Sequence, residues 1–293
     1  MNVFKVKVGD YNSFEINKKN FEEQTNKIEP YYNEEENKNP RCYGVCPVCE
    51  NPIQIIGLYK IEKDVKNKKP YGRHNKGDIE RIAKYDERSY FNCPYANPKY
   101  QSLKAKRKKD NKTSHYLYNL MKNNYDKAIF YMEKMTGIKF SKAFAKHILS
   151  VFVASEAYRY YGATYNNLPF MLFEGTSAKN LTGRYIYKNS NLYKALKQND
   201  RVILTDGNNK NLAKVTVKDK AYKGIDFRLM FHEFNIKQDG SLEETFLFSV
   251  LFDDLTVAYK EKITVDQKYF HNLLNYKEFK RNEYLLNLAQ DLM

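Results

Sequence analysis

The stretch RCYGVCPVCENPIQIIGLYK, residues 41–60, contains three of the four cysteines in this chain of 293 residues. The fourth, Cys93, comes much later, in FNCPYANP. In CPVC, a tight turn aims the thiolates of Cys46 and Cys49 at one point, an arrangement typical of a zinc site with four tetrahedral ligands. The spacing therefore predicts that residues 38–100 fold around a bound Zn²⁺ ion.

Three of the four ligands follow from this spacing, and the fourth has two candidates. Cys46, Cys49 and Cys93 are the predicted thiolates, and either Cys42 or His74 supplies the remaining ligand. Cys42 would complete an all-cysteine site. His74 would complete a site of three cysteines and one histidine and leave Cys42 as a neighbour. Four protein ligands leave no position open for water, so the predicted zinc is structural.

Other uses of these residues have less support. A redox-active CxxC pair is expected beside a βαβ pattern, which the surrounding sequence lacks. A catalytic zinc ion needs an open position and a nearby carboxylate base. An HNH-type nuclease would need a His-His or Asp-His pair, whereas RHNKGD offers only His74 followed by Asn. No phosphate-binding loop, GxSxG elbow or HExxH motif occurs in the chain, so the sequence favours binding over catalysis.

Residues 42–96 resemble zinc-ribbon or zinc-knuckle modules, with CPVC as the first knuckle and CPYA as the second. The second knuckle departs from the pattern at Ala96. The resemblance implies a metal-stapled module that binds nucleic acid or protein. In size and composition the whole chain also resembles phage counter-defence proteins of the Gabija anti-defence type. That resemblance implies an alternative function, an inhibitor that oligomerises and occludes a host defence complex.

Basic residues are concentrated in one part of the chain. The net charge is +15, and residues 59–112 hold 17 Lys and Arg against 7 Asp and Glu. Such a block attracts anionic partners, and nucleic acid is the usual one. The predicted phosphate contacts are Lys66, Lys68, Lys69, Arg73, Lys106, Arg107, Lys108 and Lys109. The tyrosines predicted to stack on bases are Tyr71, Tyr85, Tyr95 and Tyr100.

Composition and hydropathy predict a soluble protein. Hydrophobic residues make up 42% of the chain, and no apolar run is long enough to cross a bilayer. The first ten residues alternate apolar and polar side chains, which predicts a strand rather than a secretory signal. We expect a cytoplasmic protein, in a bacterial host if the chain is phage-encoded. Its expected partners are nucleic acid or a host protein complex and no membrane, with homo-oligomers left open.

The pattern of elements predicts an α+β fold in four parts. These are a zinc-binding module (1–100), a basic connector (101–114), a helical hairpin region (115–187) and an α+β domain (188–293). In the hairpin, Gly137 is predicted to end the first helix, and Ser141 to cap a second that runs to Gly162.

The last domain is predicted to contain an antiparallel sheet covered by helices. Ser190 is expected to cap a short helix, and Asp239-Gly240 to turn a hairpin. Asp266 is expected to start one long terminal helix. Another short helix is predicted in the zinc module, with Asp78 near its start. His232 and Glu233 are adjacent on a strand and should therefore point to opposite faces.

Overall fold

The computed structural model describes residues 1–10, 12–34, 39–59, 69–96, 104–174, 176–218, 224–266 and 268–293. These residues form two compact units. Unit 1 consists of Met1–Tyr116, Arg159–Thr164 and Phe234–Glu243. Unit 2 consists of Leu117–Tyr158, Tyr165–Glu233 and Glu244–Met293.

Helices and strands are both numerous. The α-helices are α1 (Lys18–Thr25), α2 (Glu87–Phe91), α3 (Lys112–Thr136), α4 (Lys142–Ser155), α5 (Asn191–Lys197), α6 (Tyr269–Asn275) and α7 (Glu283–Leu292). Two 3₁₀ segments span Ala157–Arg159 and Leu168–Phe173. Strands of the first half are β1 (Val3–Phe4), β2 (Phe14–Glu15), β3 (Tyr32–Asn33), β4 (Arg41–Val45), β5 (Pro52–Ile56), β6 (Tyr71–His74) and β7 (Ile138–Lys139). Strands of the second half are β8 (Lys179–Asn180), β9 (Tyr185–Tyr187), β10 (Val202–Asp206), β11 (Leu212–Val217), β12 (Ile225–Ile236), β13 (Leu242–Phe252) and β14 (Val257–Thr264).

The main sheet of unit 1 has the order β3-β4-β5-β6 and is antiparallel throughout. Side chains alternate between its faces because the strand period is two residues. Cys42, Ile53 and Ile55 point inward and are buried in the core of this unit, together with Phe4 and Phe21. The metal-ligand candidates therefore lie on a scaffold that also has a conventional apolar core.

Unit 2 contains a sheet of order β10-β11-β9-β7 and most of a sheet of order β14-β13-β12-β8. Its core is rich in aromatic rings: Phe170 stacks on Phe246 with ring centroids 4.8 Å apart, and Tyr131 lies edge-on to Phe170. The Tyr125 hydroxyl on α3 donates to the Ala145 carbonyl on α4 over 2.6 Å. Aromatic packing of this kind suits a chain with 26 Tyr, 18 Phe and no Trp.

The predicted mixed class of helices and antiparallel strands is confirmed. No helix among the residues described above is long and apolar enough to span a bilayer. The residues of the predicted connector that the structure describes, 104–114, group with residues 1–96 in unit 1. Unit 1 therefore extends beyond the segment that the sequence assigned to the zinc module.

Candidate metal centre

Four side chains that are distant in the sequence meet in unit 1. Cys46 follows β4, Cys49 lies in the turn before β5, His74 ends β6 and Cys93 follows α2. Their ligand atoms all lie within 4.8 Å of one another, and the three cysteines are buried. Three thiols and one imidazole this close together could hold a metal ion.

Backbone hydrogen bonds fix the turn that carries the first two cysteines. The Cys46 amide donates to the Asn51 carbonyl over 2.9 Å, and the Glu50 amide donates to the Cys46 carbonyl over 3.1 Å. Glu50 has a φ of 58°, and this left-handed residue turns the chain into β5. The pairing of β5 with β6 sets His74 opposite Ile53. Sheet register therefore brings the imidazole to the cysteine turn.

Two of the separations between the donor atoms match a tetrahedral ion, and the third is shorter. The Sγ atoms of Cys46 and Cys93 are 3.8 Å apart, and His74 Nε2 is 3.6 Å from Cys93 Sγ and 3.2 Å from Cys49 Sγ. Tetrahedral zinc places two sulfurs about 3.8 Å apart, and sulfur and nitrogen about 3.6 Å apart. A disulfide would bring two sulfurs to about 2.05 Å. The donor set and its spacing therefore suit metal coordination.

A buried amide connects the cysteine turn to the chain before α2. The Asn51 Nδ2 group donates to Cys49 Sγ over 3.4 Å and to the Asp86 carbonyl over 3.0 Å, and Asn51 Oδ1 accepts from the Asp86 amide over 2.6 Å. Asp86 also caps α2, because its carboxylate accepts from the Ser89 amide. Asn51 thus holds the segment that delivers Cys93 in register with Cys49.

The thiols influence one another's ionisation. Burial raises the pKa of Cys46, but hydrogen bonds from Cys49, Cys93 and His74 outweigh it and hold this pKa well below its usual value. Burial and hydrogen bonding to Cys46 raise the pKa values of Cys49 and Cys93 well above the usual value of a thiol. A bound cation would stabilise the thiolate form of all three cysteines.

Cys42 lies outside this group. It is buried on the inner face of β4, opposite Ile55, and its Sγ is 3.9 Å from the Pro40 carbonyl. Burial raises the pKa of its thiol to about 12. Of the two candidates for the fourth ligand, the structure brings His74 to the cysteines and places Cys42 in the apolar core.

The predicted nucleic-acid contacts are dispersed over unit 1. Lys69, Tyr71 and Arg73 are exposed at and before β6, and Lys108 and Lys109 are exposed before α3. Tyr85, Tyr95 and Lys106 are half-buried, and Tyr95 packs against the core of the unit. Lys66, Lys68 and Tyr100 lie outside the described residues.

The expectation that Arg107 contacts phosphate is wrong. It is 4% exposed, and its guanidinium donates to the carbonyl oxygens of Tyr160, Tyr161 and Ala163 over 2.6, 3.2 and 3.0 Å. Its own amide donates to the Arg159 carbonyl over 2.7 Å. Arg107 therefore holds two segments of unit 1 together and does not present a cation to phosphate.

Sequence reasoning missed three residues on the outer side of the unit 1 sheet: Arg41, which is exposed, and Tyr43 and Gln54, which are half-buried. They alternate with the buried residues of RCYGV and PIQII, so the period-two pattern carried the signal.

A second polar cluster lies in unit 2. His232 Nε2 is 2.5 Å from Glu244 Oε1, which also accepts from Asn167 Nδ2, and the His232 ring stacks on Phe246 at 4.2 Å. The His232 and Glu244 side chains are almost fully buried, whereas Glu233 is exposed beside Lys262. The opposite orientation expected for His232 and Glu233 is therefore observed. The partner of His232 comes instead from the other strand of the hairpin.

Comparisons with protein-family models, with curated proteins and with solved structures found no match to this chain. The residues and geometry of the chain itself therefore carry the functional interpretation.

Proposed function

We propose that unit 1 is a non-enzymatic, zinc-stapled module that binds nucleic acid. The observation that carries this proposal is a group of four possible metal ligands, three of them buried, of which His74 and Cys93 belong to the most basic segment of the chain. Four ligands leave zinc no position for a reactive water, so the metal has a structural role. Exposed cations held on such a scaffold attract phosphate.

Zinc is the metal that best suits the donor set. Three sulfurs and one imidazole nitrogen are soft to borderline ligands, whereas magnesium and calcium require oxygen. Cys46, Cys49, His74 and Cys93 would hold the ion, which would join the turn before β5, the end of β6 and the residue after α2. In small modules the free energy of metal binding contributes directly to folding.

Salt dependence tests nucleic-acid binding most directly. We expect the wild-type protein to bind fluorescein-labelled DNA or RNA oligonucleotides in anisotropy titrations, with affinity that falls steeply as NaCl rises from 50 to 200 mM. In the double variant Lys108→Glu/Lys109→Glu, two phosphate contacts are lost. Its slope of log affinity against log salt should be shallower by about 1.4–1.8. Metal content should stay unchanged, because both side chains are exposed.

The matched control is Lys197→Glu/Lys210→Glu, which makes the same charge change at exposed lysines of unit 2. This control should retain the wild-type slope. Absence of binding to every oligonucleotide at 50 mM NaCl would contradict the proposal. It would favour the alternative, a counter-defence inhibitor that binds a host protein complex.

A further inference from the structure

The exposed side of the unit 1 sheet carries a concentrated set of stacking and hydrogen-bonding side chains. We define the outer sheet face as Arg41, Tyr43, Gln54, Tyr71 and Arg73. We propose that this face binds single-stranded nucleic acid, an inference that rests on the proposed function and names its substrate class.

The pleat of the sheet separates this face from the core. On β4 and β5 the inward residues Cys42, Ile53 and Ile55 are at most 3% exposed. On β6, Tyr71 and Arg73 are exposed, while Gly72 between them faces inward. A Cβ on Gly72 would lie 3.0–3.2 Å from side-chain atoms of Met1, Ile16 and Ile53. Tight packing on the inner side thus holds Tyr71 and Arg73 outward.

Strand register places the residues of the outer sheet face in rows. Tyr43 lies opposite Gln54, and Gln54 lies opposite Arg73, so three strands contribute to one row. Tyr71 lies opposite Ile56 in the neighbouring row. Directly opposed residues have Cβ atoms about 4.5–5.5 Å apart, so these side chains are in contact range of one ligand.

The chemistry of the face matches unpaired nucleotides. Tyr71 is 45% exposed on an edge strand, where its ring offers a stacking platform for a base. The Arg73 guanidinium donates to Gln54 Oε1 over 3.2 Å, which orients its planar fork before a ligand arrives. Arg41 adds a second exposed cation. Within the described strands β3–β6, no carboxylate occurs on this face.

A duplex offers this face much less than a single strand does. Its bases are stacked inside the helix and show only their edges in the grooves, whereas stacking on Tyr71 needs an open base face. The major groove admits an α-helix or a two-stranded ribbon, whereas the outer sheet face spans three adjacent strands, β4, β5 and β6. Base stacking is sequence-tolerant, so we expect a preference for single strands with little preference for sequence.

Competition binding with three variants tests this inference. The probe is a labelled 20-nucleotide single-stranded DNA, and the competitors are unlabelled single-stranded DNA, RNA and a 20-base-pair duplex. Wild-type protein should prefer both single strands over the duplex. Tyr71→Ala should weaken single-strand binding about 5- to 150-fold. Tyr71→Phe should restore most of that loss because the ring is kept. Arg73→Ala should also weaken single-strand binding, because it removes a cation while the Tyr71 ring is kept.

The control variant is Tyr276→Ala, which removes a tyrosine of unit 2 that is 53% exposed and should bind as wild type does. Zinc content and melting temperature verify that each variant is folded. One result would contradict single-strand binding by the outer sheet face: salt-dependent binding that neither Tyr71→Ala nor Arg73→Ala changes, with the duplex competing as well as the single strands. That result would still be consistent with the proposed function. Failure of wild-type protein to bind any probe would overturn both.

Discussion

Arg107 is a buried cation whose partners are backbone carbonyls. Burial lowers the pKa of its guanidinium, and the charge of Glu50 acts in the opposite direction. Glu50 itself accepts from the Gly9 amide over 2.9 Å, and its other oxygen accepts from Thr113. Polar interactions around residues 50, 107 and 113 thus join the cysteine turn to the start of α3 and the segment before it.

Arg107→Met is expected to lower the free energy of unfolding by about 2–4 kcal/mol. The change leaves three carbonyl oxygens of buried backbone without their donor, and each loses a charge-assisted hydrogen bond. Urea denaturation of the full chain, followed by near-UV circular dichroism of its tyrosines, measures the effect. Lys108→Met, one residue away and exposed, should change stability by less than about 0.5 kcal/mol. Equal stabilities of the two variants would show that Arg107 is not structural.

Gly137 connects two elements of unit 2. It follows the last residue of α3 with a φ of +71°, and a Cβ there would lie 2.5 Å from Ser190 Cβ. Ser190 in turn caps α5, since its Oγ accepts from the Tyr193 amide over 3.1 Å. The end of one helix is therefore packed against the start of another, and only glycine provides both the conformation and the space.

Gly137→Ala should therefore cost more stability than backbone strain alone. Left-handed backbone costs an alanine about 1–2 kcal/mol, and the forced contact with Ser190 adds about 1–3 kcal/mol. The matched control is Gly183→Ala, where φ is +82° but nothing lies within 4 Å of the added Cβ. Thermal unfolding should show the larger loss for Gly137→Ala. A loss of stability no greater than that of Gly183→Ala would show that the contact with Ser190 does not destabilise the variant.

Helix starts proved more predictable than helix lengths. Ser141 and Ser190 cap α4 and α5 as predicted, because an N-cap depends on one side chain and the next turn. α4, however, ends at Ser155, seven residues before the predicted end at Gly162, because Glu156 adopts a left-handed φ of 52°. Tertiary packing decides such ends, and a single sequence does not contain that information.

Two predicted helices in other parts of the chain were wrong. The long terminal helix is divided into α6 and α7, although Asp266 does accept from the Lys268 and Tyr269 amides at its predicted start. The predicted helix from Asp78 is confined to α2, and the Asp78 carboxylate instead accepts from the Tyr85 amide over 2.7 Å. Arg81 has a φ of 62°, which interrupts the helical pattern that Ile79, Ile82 and Ala83 suggested.

At the scale of the whole molecule, the sequence indicated the metal-ligand cluster more completely than it indicated the placement of Arg107. Three of the four donors in the cluster were assigned from the sequences CPVC and CPYA, whereas the choice between Cys42 and His74 required the register of β4, β5 and β6. The placement of Arg107 required a contact 53 residues along the chain, with Tyr160. Long-range pairing of this kind has no local signature in one sequence.

The same register places the metal candidate and the outer sheet face on one scaffold. β6 contributes His74 to the inner side and Tyr71 and Arg73 to the outer side. A metal ion that fixes His74 would therefore also fix the strand that presents the proposed nucleic-acid contacts. A bound metal ion is therefore the premise shared by the structural role of the cluster and the presentation of the outer sheet face.

Elemental analysis of protein purified without added metal or chelator tests this claim most directly. The account predicts one zinc per chain in the wild type and in Cys42→Ser, because Cys42 lies outside the cluster. It predicts loss of stoichiometric zinc in Cys93→Ser and a marked loss in His74→Ala, since each change removes one of four ligands. Wild-type protein without stoichiometric metal would contradict the account, as would a Cys42→Ser variant that loses zinc while His74→Ala retains it.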